Sequence, residues 1–145
     1  MKKILVLGDY IIDEYWHSDV SRISPESPNP INKIYNQETR PGGAGNVVEN
    51  LIALGADVTA IYGDNHCRKV RVVSDNKQIS RMDFDMVSSN ITEIPDGEYD
   101  VAILSDYNKG ALSDPSKVIQ QLKERNIPIF VDPKGWLVNM REQTL

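Results

Sequence analysis

Four short apolar runs, each closing on an aspartate, constrain this chain more than any other feature: KILVLGD (3–9), DVTAIYGD (57–64), YDVAILSD (99–106) and IPIFVD (127–132). Each is unbroken in its hydrophobicity rather than alternating, the pattern of a strand covered on both faces, and so of a parallel sheet sandwiched by helices. Two segments between the runs read as those helices. The first starts near Gly43, sets Val47, Leu51 and Leu54 on one side and stops at Gly55. The second takes Ser113 as its N-cap, has Asp114 and Pro115 in its first turn, and turns Val118, Ile119 and Leu122 inward. An α/β fold with crossover helices is the expected result.

Two regions break this design. PINKIYNQ (30–37), and then KVRVVS (69–74) with KQISRMDF (77–84) joined through Asp75-Asn76 as a hairpin, are polar and strand-like. They predict a small separate sheet forming a lid. The expected division is a core of 1–12, 40–64 and 93–145 and a lid of 13–39 and 65–92. SPESPNP (24–30) reads as an ordered, extended arm or loop.

The 145 residues suffice for one domain with a substantial core. No apolar run approaches the roughly 20 residues that a bilayer demands, and MKKILVLGD is too short in its apolar part for a leader, so the expected location is the cytoplasm. A formal net charge of −5, with scattered basic residues, argues against a nucleic-acid partner and an acidic membrane surface. The densest basic group, Arg68, Lys69 and Arg71, reads as the solvated face of a strand. Cys67 is the one cysteine; with His66 beside it the soft ligands are too few for zinc, and a surface thiol is expected.

In an open parallel sheet, ligands bind beyond the carboxyl ends of the strands. Asp9, Asp64, Asp106 and Asp132 are predicted to stand there. Four carboxylates at one edge suit a ligand with many hydroxyls, because an ionised carboxylate only accepts and a polyol donates. Strand-terminal aspartates also cap turns, which is the competing role. Crowding would raise some of their pKa values. The glycine-rich stretch RPGGAGNVVENLIALGA (40–56) lacks the Gly-Lys-Ser/Thr ending of a Walker loop, with Asn46-Val47 in its place. It also lacks the third glycine of a dinucleotide fingerprint, where Val48 stands. What remains is a backbone that Gly42 and Gly43 leave open to close approach, with Asn46 able to donate and accept.

GDYIIDEYWHSDVSRISPESPNPI, RPGGAGNVVENLIALGA, LSDYNKGAL and VDPKG, in this order, resemble successive landmarks of the PfkB, or ribokinase-like, family of carbohydrate kinases. The nearest subgroup phosphorylates D-glycero-D-manno-heptose phosphate at its anomeric oxygen for lipopolysaccharide heptose synthesis. The resemblance implies a ribokinase-like fold with a β lid that covers the sugar and pairs with a second subunit, here through Val70, Val72, Ile79 and Met82. It implies sugar contacts from Asp9, Asp13, Gly42, Gly43 and Asn46, and places Asp106, Lys109, Gly110, Asp132 and Lys134 by the inner wall of the site.

Two departures stand beside the match. The family's Asn-x-x-Glu segment and Gly-x-Gly-Asp turn, which organise magnesium, phosphate and the catalytic base, follow the landmark ending at Gly135, and the chain stops at Leu145 without either. Only NHCR separates Asp64 from Lys69, where relatives carry a further helix and strand. The chain therefore resembles a truncated sugar-binding half. The expectation is a sugar-phosphate binder without its own ATP site, active as a kinase only if a complementing nucleotide-binding chain brings ATP and magnesium. The alternative is a non-catalytic dimeric module with a binding, regulatory or structural role.

Overall fold

The computed structural model describes residues 1–134, and Gly135 and the remainder of the expected core segment lie outside the described residues. Strands β1 (Lys3–Gly8), β4 (Asp57–Tyr62), β7 (Val101–Ser105) and β8 (Ile129–Asp132) pair in parallel in the order β4-β1-β7-β8. All four apolar runs are thus strands of one sheet. Central β1 and β7 alternate their side chains between two cores. Leu5, Leu7, Ala102 and Leu104 pack with Leu112, Val118 and Leu122 on one face, while Ile4 and Val6 pack with Ala44 and Val48 on the other. Each fully buried Leu or Val contributes about 1.5–3 kcal/mol. Burial on both faces holds for the centre only. At the edges β4 is half-buried, and on β8 Phe130 and Val131 remain 66% and 39% exposed.

Helix α1 (Ala44–Ala53) covers one face and α2 (Ser116–Glu124) the other. Two local expectations need correction. Leu54 is outside α1 and 84% exposed, and Val48 takes the buried position beside Val47 and Leu51. The N-cap of α2 is Pro115, not Ser113; the Asp114 carboxylate accepts from the Ser116 amide, so the chain turns there before the helix begins.

The second sheet has the order β3-β2-β5-β6, from β2 (Tyr10–Ile23), β3 (Pro30–Gly43), β5 (Cys67–Ser74) and β6 (Lys77–Phe84). Strands β2 and β3 run without a break from residues next to the parallel sheet into the lid, and SPESPNP closes their hairpin, with the Ser24 amide donating to the Asn29 carbonyl. Asp75 and Asn76 both have positive φ, 49° and 60°, matching the right-handed twist of a tight hairpin between β5 and β6. Cys67 is buried, with its thiol against the Met86 backbone, contrary to the surface position expected of it. Val70 and Val72 are also covered within the chain, so they offer nothing to a second subunit; Ile79 and Met82 are exposed.

On the lid face that carries Glu14, the Arg68 Nε donates to Glu14 at 2.7 Å and the Trp16 indole donates at 3.0 Å. The Arg68 guanidinium holds the Glu14 carboxyl below the usual carboxylate range, against a smaller upward push from burial. The folded pKa is therefore the lower one, so this pair stabilises fully above the unfolded value and is lost as pH falls through the folded value. Arg68 is 42% exposed, which keeps the gain modest. Glu14→Gln should flatten the loss of stability on acidification below about pH 5. Identical pH slopes for the two proteins in urea titrations would refute this role.

Asp9 ties the pieces together. Its side chain is nearly fully buried and accepts from the amides of Tyr107 at 2.8 Å, Lys109 at 3.2 Å and Ala111 at 3.0 Å; its carbonyl accepts from Ala44 at 2.9 Å. Removing the carboxylate strands three amides, each worth about 1–3 kcal/mol when left unsatisfied in the interior. Asp9→Ala should lower unfolding stability by about 3 kcal/mol or more, read from denaturant midpoints. A change under about 0.5 kcal/mol, the size of an ordinary surface substitution, would show that the loop holds without it.

Candidate functional site

A cavity of about 340 Å³ opens where the two sheets meet. That volume is at the small end of ligand sites, about 300–1,000 Å³. Its floor is the turn from β3 into α1: Gly42, Gly43 and Asn46. Gly43 has φ +57°, and a Cβ there would lie 2.5 Å from the Asp9 carbonyl oxygen; a Cβ on Gly42 would run into Asp13 Oδ2. Gly43 has no room for a side chain and one on Gly42 would displace the Asp13 carboxylate, so bare backbone borders the cavity here.

The walls follow from strand register. Asp13 on β2 pairs with Arg40 on β3 and Lys69 on β5, and Tyr15 pairs with Arg71 on β5. Alternation places Ile11, Asp13 and Tyr15 on the cavity face, with Lys69 and Arg71 alongside. The Arg71 guanidinium donates to Asp13 Oδ1 at 2.7 Å. Arg40 and Arg71 each stand over the Tyr15 ring, 5.0 and 5.4 Å from its centre. Tyr107 enters from the loop after β7.

Of the residues singled out in the sequence, Asp13, Gly42, Gly43 and Asn46 line this cavity. Asp9, Asp64, Asp106, Lys109, Gly110, Asp132 and Lys134 do not line it. Asp9 is committed to the backbone of 107–111. Asp106 accepts from the amides of Asn108 and Lys134, and Lys109 donates to Asp85 at 2.7 Å, which raises the lysine's pKa. Asp132 is exposed, with its carbonyl accepting from the Asp106 amide, and the Lys134 ammonium sits 4.9 Å from the centre of the Tyr107 ring. The aspartate edge thus builds the loop that carries Tyr107. Asp64 likewise takes the Ser89 amide and hydroxyl, and its pKa is lowered, chiefly by that amide.

Lys69 and Arg71, read in the sequence as a solvated face, instead line the cavity, because β5 is an inner strand of its sheet with β2 on one side and β6 on the other. Tyr15 and Arg40 were also missed. The alternation from Asp13 to Tyr15 was a usable signal; the pairing of Arg40 across from Asp13 was not, since it depends on register.

No family model matches the chain. It is 36% identical over 171 residues to the bifunctional protein HldE of Nitrosococcus oceani and 38% identical over 174 residues to that of Psychromonas ingrahamii, in each case across 92% of this chain and 36% of the relative. The chain thus spans about a third of the length of these relatives. A matched stretch of 171 residues exceeds the whole chain of 145, so at least 26 positions of the relative have no counterpart here, as a shortened link inside the chain requires. Among solved structures, the tetrameric inhibited form of phosphofructokinase-2 from Escherichia coli superposes with a TM-score of 0.53 at 16% identity, over 93% of this chain and 56% of that one. A carbohydrate kinase from Agrobacterium tumefaciens gives 0.51 at 14% identity, over 90% and 53%. With its parallel sheet, its second sheet and the glycine turn between them, the chain has the ribokinase-like fold of the PfkB carbohydrate kinases and is a relative of part of the HldE proteins.

Proposed function

We propose that this chain is the sugar-binding half of a carbohydrate kinase-like protein and that its ligand is a sugar phosphate of the heptose class. The observation that supports this most is the meeting of the Gly42-Gly43 turn, Asn46 and Asp13 around one cavity under the second sheet. A backbone without side chains, an amide that donates and accepts, and a carboxylate acceptor match a polyol's hydroxyls one by one. Phosphoryl transfer needs charge-neutralising groups around the donor phosphates. Nucleotide and metal come, in this reading, with a complementing chain.

Titration calorimetry with D-glycero-D-manno-heptose 7-phosphate should show saturable binding, and Asn46→Ala should weaken it roughly tenfold, the loss of one or two hydrogen bonds. No heat with this ligand or any other sugar phosphate would end the reading.

A homodimer formed through the lid is supported by β6, an edge strand exposed along its whole length with Ile79 at 41%, Met82 at 37% and Phe84 at 47%. Unpaired edges invite strand addition. Sedimentation equilibrium should give a dimer that Met82→Glu shifts to monomer; a monomer at every concentration would dismiss it.

A further inference from the structure

The chain crosses between its two sheets four times: from β1 to β2 at Asp9, from β3 to α1 at Gly43, from β4 to β5 through 63–66, and from β6 back to the core through 85–89. A lid that swings needs these crossings to flex. Here they are bonded to one another. The Asn65 amide donates to the Ser88 Oγ at 3.1 Å, and that hydroxyl donates onward to the Asn65 carbonyl at 2.7 Å. The Asn65 side chain reaches the Val87 carbonyl at 2.9 Å, and the Cys67 thiol lies against the Met86 backbone. The third and fourth crossings thus run side by side as one strap.

The strap is joined in turn to the first two crossings. The Ser88 amide donates to the Lys109 carbonyl at 2.7 Å. Lys109 belongs to the loop that the buried Asp9 carboxylate gathers, and the Asp9 carbonyl receives the Ala44 amide where the second crossing ends. Space is as restricted as bonding: Ser88 is 6% exposed, and a Cβ on either Gly63 or Gly110 would run into it. A further brace is aromatic. Tyr10, which opens β2, sets its ring edge-on to Tyr62 at the end of β4, 4.8 Å between centres, and lies 4.9 Å from the His66 ring. Tilting the lid would break these contacts together, at a place where little water reaches Ser88 to replace them. Each buried group left without its partner lowers the population of a tilted state by roughly tenfold.

We propose that the lid is fastened to the parallel sheet in the free chain through Ser88, so that the cavity is complete before any ligand arrives and binding proceeds without a closing movement. Residue-resolved amide hydrogen exchange on the free chain tests this without a ligand, so its outcome is separate from that of the sugar-phosphate reading. After correction for intrinsic rates, the amides of Ala44, Asn65, Ser88 and Ala111 should exchange as slowly as those of the central strands β1 and β7, as members of one cooperative unit. Ser88→Ala removes the hydroxyl but keeps the acceptors of the Ser88 and Ala111 amides, the Lys109 carbonyl and the Asp9 carboxylate. It should speed the exchange of these two amides roughly tenfold or more relative to β1 and β7, a ratio that an evenly spread loss of stability would not move. Lys77→Ala, at the exposed turn of the β5-β6 hairpin, should leave the ratio as it is. Crossings that exchange roughly tenfold or more faster than β1 and β7 in the unaltered chain would show a lid that swings and overturn the proposal. A ratio indifferent to Ser88→Ala, or raised as much by Lys77→Ala, would overturn it as well.

Discussion

A buried carboxylate holds this structure in its working shape. Asp9 is 2% exposed and surrounded by three backbone amides that arrive about a hundred residues later in the chain. A carboxyl group so far from water is tolerated only when hydrogen bonds replace its hydration, and the loop 107–111 supplies them. The same residue's carbonyl receives the first amide of α1, one of the donors a helix start leaves open. One aspartate therefore fixes three things at once: the end of β1, the entry into α1 and the loop that brings Tyr107 to the cavity.

From that joint the chemistry of the cavity follows by register. Strands β2 and β3 leave the junction as a long antiparallel ribbon, and β5 joins β2 in parallel. With alternating side chains, a single offset decides which charges look inward. The observed pairing turns Asp13, Lys69 and Arg71 toward the cavity and leaves Glu14 and Arg68 to bind each other on the far face. Two ion pairs of similar length thus serve different ends: Glu14 with Arg68 fastens the lid, whereas Asp13 with Arg71 lies where a ligand would compete for it.

The parallel sheet was legible because runs such as KILVLG and VAILS have no polar residue to place on a wet face, and burial on both sides is the only arrangement that accommodates them. The glycine turn was legible for a similar reason, since Gly42 and Gly43 stand where a Cβ has no space. The aspartates were legible in position but not in role. An aspartate after a strand is marked equally by a ligand and by a turn in need of an acceptor, and at Asp9, Asp64 and Asp106 the backbone supplied the partners. Lys69 and Arg71 misled in the opposite sense, as charges on a polar strand look solvated until a neighbouring strand gives them a wall.

Hydrophobic continuity, glycine placement and turn residues such as Asp75-Asn76 act within a few residues, and for that reason the linear order of amino acids was enough to specify the four parallel strands, the hairpin of β5 and β6 and a sheet flanked by helices, but not the long strand β2. Which side chains share the cavity was settled only when strands distant in the chain came into register. Pairing over a separation such as that of Asp13 and Lys69 is a property of the assembled sheet, because side-chain packing across strands and the geometry of their connections, not local preference, choose the offset.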